Sequence, residues 1–282
     1  AILCITPGWH CEKIRSAFER RGAAARFVTA DALVSPLGIP GAQAELSRYD
    51  GLVIRGIPAG SLEQVIYRMD ALFALERGGL PCVNPPKTIE KTVDKYLTSA
   101  LIAEAGLPVP PTICCESAEA AKAAFSALGD DVVYKPLFGS CGNGLMRLTN
   151  EREAAEAFSV IAETGGIFYL QKFIECGNSD LRAFVVGGRV VAAMQRTGMD
   201  WRANISRGGT AAPYVLNAYE EALALSAAKA VEADVAGVDL LISSAGETYV
   251  TEVNGCPGWH GLSTVTDADI AGEIVSLMLS KT

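Results

Sequence analysis

The most restrictive feature of this sequence is a predicted hairpin over residues 238–254, in which Asp239, Glu252 and Asn254 interrupt two apolar strands. The polar residues 243–247 lie midway between Asp239 and Glu252, so a symmetric hairpin places these two carboxylates opposite each other. Glu252 and Asn254 are two residues apart and share one face of their strand. Opposed carboxylates repel each other, whereas a divalent cation such as Mg²⁺ or Mn²⁺ would bind both of them. The hairpin alone is equally compatible with a solvated polar face.

The composition predicts a folded protein in which helices and strands alternate. Half of the 282 residues are hydrophobic, and Ala-rich runs alternate with Val/Ile-rich runs, as in an α/β protein with two domains or an inserted lobe. No apolar run reaches the roughly 20 residues of a membrane span. The first residues form an apolar run without a basic segment before it. We therefore expect no signal peptide, no membrane partner and a cytoplasmic location.

Cysteine spacing and charge argue against several classes of function. The eight cysteines show no paired CxxC spacing, which argues against zinc and a disulfide framework and favours a reducing compartment. The net charge of −8 argues against a nucleic-acid partner, whose surface would require a basic stripe. Arginines nevertheless dominate the charged residues between positions 182 and 207. This local positive cluster indicates a small anionic ligand.

Turn and breaker residues divide the sequence into two units. Residues 1–86 are predicted to form an N-terminal α/β lobe of the βαβ type, which ends at two successive prolines. Residues 87–282 form the larger unit, and a continuous helix is predicted over Thr88–Ala105. The chain becomes richer in strands after residue 170, so we predict two subdomains within this unit. Their predicted ranges are 87–170 and 171–282.

A lysine followed by glycines is the first of several segments that suit phosphate. Lys135 ends a predicted strand, and the glycines of residues 136–144 allow backbone N–H groups to surround an anion. The segment is not a Walker loop, because Leu145 and Met146 stand where Lys and Ser/Thr are required. It is not a dinucleotide-binding fingerprint either, because a strand is predicted to follow. An ordinary glycine-rich hairpin turn is the alternative.

Three further segments suit an anionic nucleotide, and each has an ordinary alternative. Lys91 and Lys95 lie four residues apart in the predicted helix and would share a face, although most such lysines are simply solvated. Residues 171–175 end a strand whose extended backbone could pair with an adenine edge. Residues 201–209 contain two arginines, whose planar guanidinium groups suit carboxylate or phosphate, but an exposed basic loop is equally compatible with this composition.

The order of these segments resembles that of the ATP-grasp ligases. Five features follow one another along the sequence. They are a lysine on a helix, a lysine before glycines, a strand that ends in Glu, an Arg/Asn loop, and an Asp that precedes Glu-x-Asn. Within that superfamily the sequence most resembles the RimK-like α-L-glutamate ligases, from about residue 84 to the C-terminus. It departs from the family in its glycine segment, GSCGNG, and in a loop before Asp180 that is about one residue shorter. The resemblance is carried by residues 93–95, 135–144, 180–182, 202–204, 207–209, 235–239 and 252–258.

The resemblance implies an ATP-grasp fold, of the α/β (α+β) class, with an N-terminal pre-ATP-grasp βαβ lobe. It also implies an ATP-dependent acid–amino-acid ligase with ATP and Mg²⁺ (or Mn²⁺) as cofactors, in which the backbone of Lys172 and Phe173 holds adenine and Asp180 holds the ribose. The implied metal ligands are Asp239, Glu252 and Asn254. The implied catalytic residues, which face the transferred phosphoryl group, are Arg202, Asn204 and Arg207. The implied ATP-binding residues are Lys95, Lys135, Gly139, Ser140, Gly142, Gly144, Gln171, Lys172, Phe173, Ile174, Glu175, Asp180 and Arg182.

L-Glutamate is the amine that the resemblance implies, and the acceptor would be a small molecule that carries a carboxylate. The acidic surface does not suggest docking on a ribosome, so we expect a coenzyme such as a tetrahydromethanopterin- or methanofuran-type C1 carrier. A homo-oligomer, dimer or tetramer, is expected. The alternatives are a glutamate ligase that acts on a protein or peptide C-terminus, an ATP-grasp kinase, and a nucleotide-binding module without catalysis.

Both histidines of the chain lie in a repeated tetrapeptide. Pro-Gly-Trp-His occurs at residues 7–10 and again at residues 257–260, and we interpret this repetition as a coincidence. His10 and His260 have no role in the scheme that the resemblance implies. We expect each of them to be structural or adjacent to the substrate.

Overall fold

The N-terminal part of the chain forms a parallel four-stranded sheet. A computed structural model describes residues 1–139, 143–203 and 208–282. In the first sheet the strand order is β2-β1-β3-β4, and every pair is parallel. This arrangement confirms the predicted βαβ type. The strands are β1 (Ile2–Leu3), β2 (Phe27–Val28), β3 (Leu52–Ile54) and β4 (Cys82–Val83), and the helices between them are α1 (Trp9–Glu19) and α2 (Leu62–Arg77).

The second sheet is antiparallel, with the strand order β5-β8-β6-β7. Two helices pack on one of its faces around Phe125, Phe158 and Phe168. Their N-termini are fixed by the side chains of Ser117 and Asn150, each of which accepts a backbone N–H of the first turn. The strands are β5 (Thr112–Cys115), β6 (Val132–Lys135), β7 (Met146–Leu148) and β8 (Phe168–Lys172), and the two helices are α5 (Ala118–Ala127) and α6 (Glu151–Glu163).

The third sheet is also antiparallel, with the strand order β11-β10-β9-β12-β13. The Ala-rich helix α7 packs on one face of it, so that Leu223 and Ala227 contact the apolar side chains of β12. The elements are β9 (Ser179–Val186), β10 (Arg189–Thr197), β11 (Thr210–Pro213), α7 (Ala218–Ala230), β12 (Val235–Ile242) and β13 (Thr248–Asn254). The sequence did not predict β5 or β11. The predicted subdomain boundary at 170/171 falls inside β8, and the borders of the three units stay a prediction.

The continuous helix predicted over Thr88–Ala105 is wrong. Two helices, α3 (Pro86–Val93) and α4 (Lys95–Glu104), occupy this region. They are separated by Asp94, whose backbone is extended and whose Oδ1 accepts the N–H of Leu97 at 3.0 Å. An aspartate that caps a new helix in this way ends the preceding helix. Ala105, the predicted last residue of the helix, directly follows α4. Gly106, at φ +74°, then turns the chain away from the helix axis.

Lys91 and Lys95 consequently lie on different helices and do not share a face. Lys91 is buried, and its Nζ lies 3.1 Å from Oε2 of Glu232. Lys95 begins α4 and faces the opposite way, toward the glycine-rich segment, where its Nζ donates to the carbonyl oxygen of Gly139 at 2.6 Å. The break at Asp94 therefore assigns one lysine to the protein core and the other to a cleft.

The first and third sheets share one hydrophobic core. Ile2, Ile14 and Val53 of the N-terminal part pack in the same cluster as Phe184 of β9 and Ile274 of the last helix, α8 (Ile270–Leu279). The buried side chain of Asn84 joins the same parts by hydrogen bonds. Its Nδ2 donates to the carbonyls of Val235 and Gly255, and its Oδ1 accepts the N–H of Val235. None of the helices in the described ranges is both long and apolar enough to cross a membrane.

The two Pro-Gly-Trp-His copies are in direct contact, which nothing in the sequence indicated. Nε2 of His10 accepts the backbone N–H of Trp259 at 3.0 Å, and the two rings lie 4.6 Å apart between centroids. Trp9 and His260 form a second ring contact at 4.8 Å. Burial, followed by the charges of Arg55 and His260, lowers the pKa of His10 from 6.5 to about 4. His10 is therefore neutral at pH 7, as a ring nitrogen that accepts a hydrogen bond must be.

The protonation of His10 makes the folded state sensitive to acid. Because the pKa of His10 is lower in the folded chain than in the unfolded chain, the unfolded state takes up the proton first as the pH falls from 6.5 to about 4. The free energy of unfolding should therefore decrease over this interval. We expect His10→Gln to reduce the decrease, as measured by urea denaturation at several pH values. His260→Gln is the comparison variant. Burial and the charge of Arg55 lower the pKa of His10 more than His260 does, so this variant should change the pH dependence less than His10→Gln does. An unchanged pH dependence in His10→Gln would contradict this account.

Candidate active site

A row of alternating charges crosses one face of the third sheet. Arg196 of β10 lies opposite Asp180 of β9, and Arg182 of β9 lies opposite Asp239 of β12. Each arginine donates two hydrogen bonds to the carboxylate opposite it, at 2.5–2.7 Å. Nη2 of Arg196 also lies 2.8 Å from Oδ2 of Asp239. Asp239 is therefore bound by two guanidinium groups at once.

These arginines determine the charge of Asp239. Asp239 and Arg196 are each only 4% exposed. Burial by itself raises the pKa of Asp239, but the charges of Arg182 and Arg196 outweigh burial and lower this pKa to about 2. The pKa of Asp180 is raised, because its burial outweighs the charge of Arg196. Asp239 is consequently a fixed anion at neutral pH.

The hairpin of β12 and β13 confirms the predicted opposition of Asp239 and Glu252. The register shifts directly after this pair, between Asp239 and Leu240, and such an irregularity changes the direction of neighbouring side chains. The side chain of Glu252 makes no hydrogen bond or ion pair within the described ranges, and it lines a cleft. Asn254 lies outside the cleft lining, and its Oδ1 accepts the N–H of Cys256 at 2.8 Å.

The donor set of this hairpin fits a magnesium or manganese ion. In the described part of the chain, no three His, Cys, Asp or Glu side chains are grouped to hold a metal. The site therefore offers two opposed carboxylates, of which Asp239 is fixed by arginines and Glu252 is free. Mg²⁺ is often bound by one or two carboxylates together with substrate phosphates and water. The hairpin supplies that number of carboxylates.

The cleft lies between the second and third sheets and contains about 930 Å³ of space that is open to solvent. Its wall is formed by residues of β6, β8, β12 and β13 together with the start of α4. The predicted site residues that line it are Lys95, Lys135, Gly139, Gln171, Lys172, Phe173, Ile174, Asp180, Arg202, Asp239 and Glu252.

Two lysines give one wall of the cleft its positive charge. Lys135 ends β6 and Lys95 begins α4, and both side chains are half-buried. Burial lowers the pKa of each lysine, and the carboxylate of Glu252 opposes this effect. Neither lysine forms an ion pair within 4.0 Å of a described carboxylate. Both ammonium groups are therefore available to an anion that enters the cleft.

The predicted adenine contact with the backbone of Lys172 and Phe173 stays a prediction, but the N–H groups of both residues have other partners. The N–H of Lys172 donates to the carbonyl of Pro111 at 2.8 Å, and that of Phe173 donates to the carbonyl of Asp131 at 2.9 Å. These two bonds continue the pairing of β8 with β5 and β6, because Pro111 and Asp131 directly precede those strands. The next amide, that of Ile174, has no partner among the described residues.

Aromatic side chains form the opposite end of the cleft. The rings of Phe173 and Trp201 meet edge to face with centroids 6.2 Å apart, and both rings line the space. Arg202 lies beside them. Its guanidinium group is paired with the carboxylate of Asp200 at 2.5 Å and is about 24% exposed. The arrangement places two apolar rings next to Arg202, and the guanidinium group of Arg147 lies 3.4 Å from the ring centroid of Phe173.

Several predicted residues lie elsewhere. Ser140, Gly142, Asn204 and Arg207 are outside the described residues. Gly144, Glu175, Arg182 and Asn254 are described but do not line the cleft. Gly144 has a structural requirement of its own, since its φ is +74° and a Cβ there would lie 2.7 Å from Cγ of Pro136. Glu175 is exposed and accepts the N–H of Gly177.

Sequence reasoning missed Arg196 as a site residue. The sequence pattern predicts a strand over Val190–Gln195, whereas β10 continues to Thr197. The period of two along a strand places Met194 and Arg196 on the same face, and both are buried. Extending the strand by two residues would have placed a buried arginine opposite Asp180. Trp201 and Thr251 are further cleft residues that the sequence did not assign.

Comparisons with known proteins agree with this geometry. The family model of the RimK-like ATP-grasp domain matches residues 92–278. A tetrahydromethanopterin:alpha-L-glutamate ligase of Methanosarcina acetivorans is 36% identical over 246 residues, which cover 77% of this chain and 76% of that protein. A protein of Trichodesmium erythraeum named "Probable alpha-L-glutamate ligase" is 32% identical over 287 residues, which cover 99% of this chain and 95% of that one.

Solved structures show the same fold. The RimK domain protein ATP-grasp from Sphaerobacter thermophilus has a TM-score of 0.75 at 24% identity, with 99% of this chain and 98% of that chain covered. The ATP-grasp ligase PsnB, in complex with a minimal precursor, Mg and ADP, has a TM-score of 0.76 at 18% identity, with 99% and 97% covered. At these identities the likeness concerns the fold, and it confirms the predicted fold class.

The cleft between two antiparallel sheets, with lysines on one wall and opposed carboxylates on another, defines an ATP-grasp protein. The chain belongs to the RimK-like ATP-grasp family, a family of ATP-dependent carboxylate–amine ligases.

The two opposed carboxylates should respond differently to neutralisation. Asp239→Asn leaves two guanidinium groups with a neutral amide, and breaking a buried pair of this kind costs about 3–5 kcal/mol. Glu252→Gln removes no ion pair and relieves repulsion with Asp239, so the free energy of unfolding should stay within about 0.5 kcal/mol of the wild type. Urea denaturation without nucleotide measures both values. Equal stability losses in the two variants would contradict the assigned contacts.

Proposed function

We propose that this chain uses ATP and Mg²⁺ (or Mn²⁺) to couple L-glutamate to a carboxylate of a small coenzyme acceptor of the tetrahydromethanopterin type. The single observation that carries the chemistry is the cleft in which Lys95 and Lys135 face Asp239 and Glu252. Two lysines without a described carboxylate partner and two opposed carboxylates around one space suit a polyphosphate with its metal ion. The identity of the amine and acceptor is supported by relatives that are named tetrahydromethanopterin:alpha-L-glutamate ligases at 36–37% identity.

The first chemical step transfers a phosphoryl group. An oxygen of the acceptor carboxylate attacks the γ-phosphorus of ATP, the bond to the β-phosphate oxygen breaks, and ADP leaves. Lys95 and Lys135 bind phosphate oxygens with ammonium groups that form no ion pair with a described carboxylate. Asp239 and Glu252 would hold a metal ion, which would supply positive charge next to the phosphate oxygens. The aromatic pair Phe173 and Trp201 lies against the base.

The second step forms the amide. The amino nitrogen of L-glutamate attacks the acyl carbon, phosphate leaves with the carbon–oxygen bond electrons, and the nitrogen loses its protons to solvent. Negative charge develops on the acyl oxygen, where fixed donors have their largest effect. Arg202 is the described residue that we assign to this position, together with the predicted Asn204 and Arg207. Arg202 would exchange its contact with Asp200 for the substrate.

A ligation assay tests this function. Purified protein is incubated with ATP, MgCl₂ and L-glutamate, and with tetrahydromethanopterin, methanofuran or a peptide as acceptor, and the products are analysed by mass spectrometry. We expect one or more glutamyl residues on tetrahydromethanopterin, with ADP and phosphate released only when all substrates are present. Glu252→Gln should reduce the rate about 100-fold, which corresponds to about 3 kcal/mol of lost stabilisation. A phosphorylated acceptor in the absence of L-glutamate would identify a kinase and contradict the proposal.

The two lysines that the sequence placed together provide a matched pair of variants. Lys95→Met removes a cation from the cleft and should weaken ATP binding about tenfold or more, since a charge-assisted hydrogen bond contributes about 1.5–3 kcal/mol. Lys91→Met removes the same kind of side chain at a position outside the cleft, where it pairs with Glu232. This variant should change the dissociation constant of ATP less than about twofold. Isothermal titration calorimetry with ATP and Mg²⁺ measures both. Similar losses in the two variants would contradict the assignment of Lys95.

A further inference from the structure

Three segments converge at the carboxyl edge of the first sheet. β1 and β3 are neighbouring parallel strands, and they lead into residues 5–10 and into Arg55, respectively. The end of β13, which carries Glu252, leads into residues 256–260. The carboxyl edge of a parallel sheet is the usual position of ligand sites in α/β folds. The two Pro-Gly-Trp-His copies meet at this edge, and the function described above does not use them.

We call the place where residues 5–10, Arg55 and residues 256–260 meet the junction. Arg55 is a cation without a counter-charge at this junction. Its Nη2 donates to the carbonyl of Pro257 at 2.7 Å, and its guanidinium group lies 4.9 Å from the ring centroid of Trp259. Its Nε is buried and has no hydrogen-bond partner. No carboxylate of the described ranges lies within 4.0 Å of the group. Burial lowers the pKa of Arg55, and the nearest titratable groups that oppose this are the thiols of Cys256 and Cys11.

The arginines of the charged row differ from Arg55. Arg182 and Arg196 each pair with an aspartate at 2.5–2.6 Å. Arg55 is half-buried, and a cation that is partly removed from water gains from a bound anion. Arg55 therefore offers a positive charge that no described carboxylate within 4.0 Å neutralises.

Aromatic rings surround the junction and partly face solvent. Trp259 is buried, whereas Trp9 is 36% exposed and His260 is exposed. The centroid of Trp9 lies 4.8 Å from that of His260 and 6.1 Å from that of Trp259. Ile5, at 58% exposure, adds an apolar side chain at the rim. A planar ring system can pack against these surfaces, and a guanidinium group binds a carboxylate through two parallel N–H donors.

The junction is close to the charged row. A Cβ on Gly237 would lie 2.9 Å from Cβ of Pro257 and 3.6 Å from Nε of Arg182, so Pro257 and Arg182 both lie over the same backbone position. Gly237 is two residues before Asp239 and shares its face of β12. Arg55 contacts Pro257 from the other side. A ligand at Arg55 therefore lies next to the carboxylate end of the cleft.

We propose that Arg55, Trp9, Trp259 and His260 form an acceptor subsite that binds a carboxylate attached to a planar aromatic or heteroaromatic group. This assignment rests on the proposed ligase function and deepens it, because it names the residues that select the acceptor. Arg55 binds the carboxylate, and the tryptophan and histidine rings contact the planar group. L-Glutamate, which has no ring, does not use this subsite.

Kinetics with tetrahydromethanopterin separate the two substrates. Arg55→Met should raise the KM for tetrahydromethanopterin about tenfold or more and leave the KM for L-glutamate and the dissociation constant of ATP unchanged. Arg55→Lys should restore part of the affinity. Arg48→Met, at an exposed arginine of the same sheet unit, is the matched control and should behave as the wild type.

Trp9→Leu, at a partly exposed ring, should raise the same KM if Arg55→Met does not fold. A raised KM for L-glutamate, or an unchanged KM for tetrahydromethanopterin in both variants, would overturn the proposal.

A binding experiment tests the subsite without turnover. In ligand-observed NMR, 2-naphthoate should bind to the wild type and to Arg48→Met but not to Arg55→Met, and the neutral analogue 2-naphthamide should bind weakly or not at all. ATP should not displace 2-naphthoate. If no ligation is found in the assay above but 2-naphthoate binds through Arg55, the proposed function fails and the subsite stands. Equal binding of 2-naphthoate to wild type and Arg55→Met, or displacement by ATP, would overturn the subsite.

Discussion

The buried pairing of Asp239 with Arg182 and Arg196 is the interaction on which the site depends. Two guanidinium groups and two carboxylates on neighbouring strands make only one register of β10, β9 and β12 acceptable, because any slip would leave a buried charge without a partner. That register also fixes the hairpin partner of Asp239. Glu252 is consequently held opposite a permanent anion while its own carboxylate remains free for a cation.

The same face of the third sheet serves two purposes along its length. At one end Asp180, Arg182 and Asp239 face the cleft, and at the other end Phe184 packs against Trp259 in a core shared with the first sheet. Because the strand period is two, these side chains alternate with those that contact α7 on the opposite face. One strand thus connects the charged row to the junction at Arg55, so it joins the proposed acceptor contacts on the first sheet to the proposed metal contacts on the third.

Much of the site was predictable because its signals are local. The sequence predicted the strand Val132–Lys135, which is β6, and it predicted the pair of Asp239 and Glu252. Turn symmetry alone does not produce that pair, because Leu240 lies opposite Val250 and only the register shift next to Asp239 brings Glu252 opposite it. An error arose where a side chain changes the local structure. Asp94 caps a second helix and separates Lys91 from Lys95. This cap does not change the hydrophobic period, so a pattern-based prediction does not detect it.

The sequence by itself determined the class of protein and the residues of the hairpin, because residue order and strand period are properties of the chain alone. Only the tertiary structure decided which charges are paired and which are free. Arg196 and Arg55 are both arginines at or just after a strand, yet Arg196 lies between two aspartates, whereas no described aspartate lies within 4.0 Å of Arg55. The physical reason is that the cost of a buried charge depends on neighbours that are distant in sequence. Folding brings two aspartates to Arg196 and a tryptophan to Arg55.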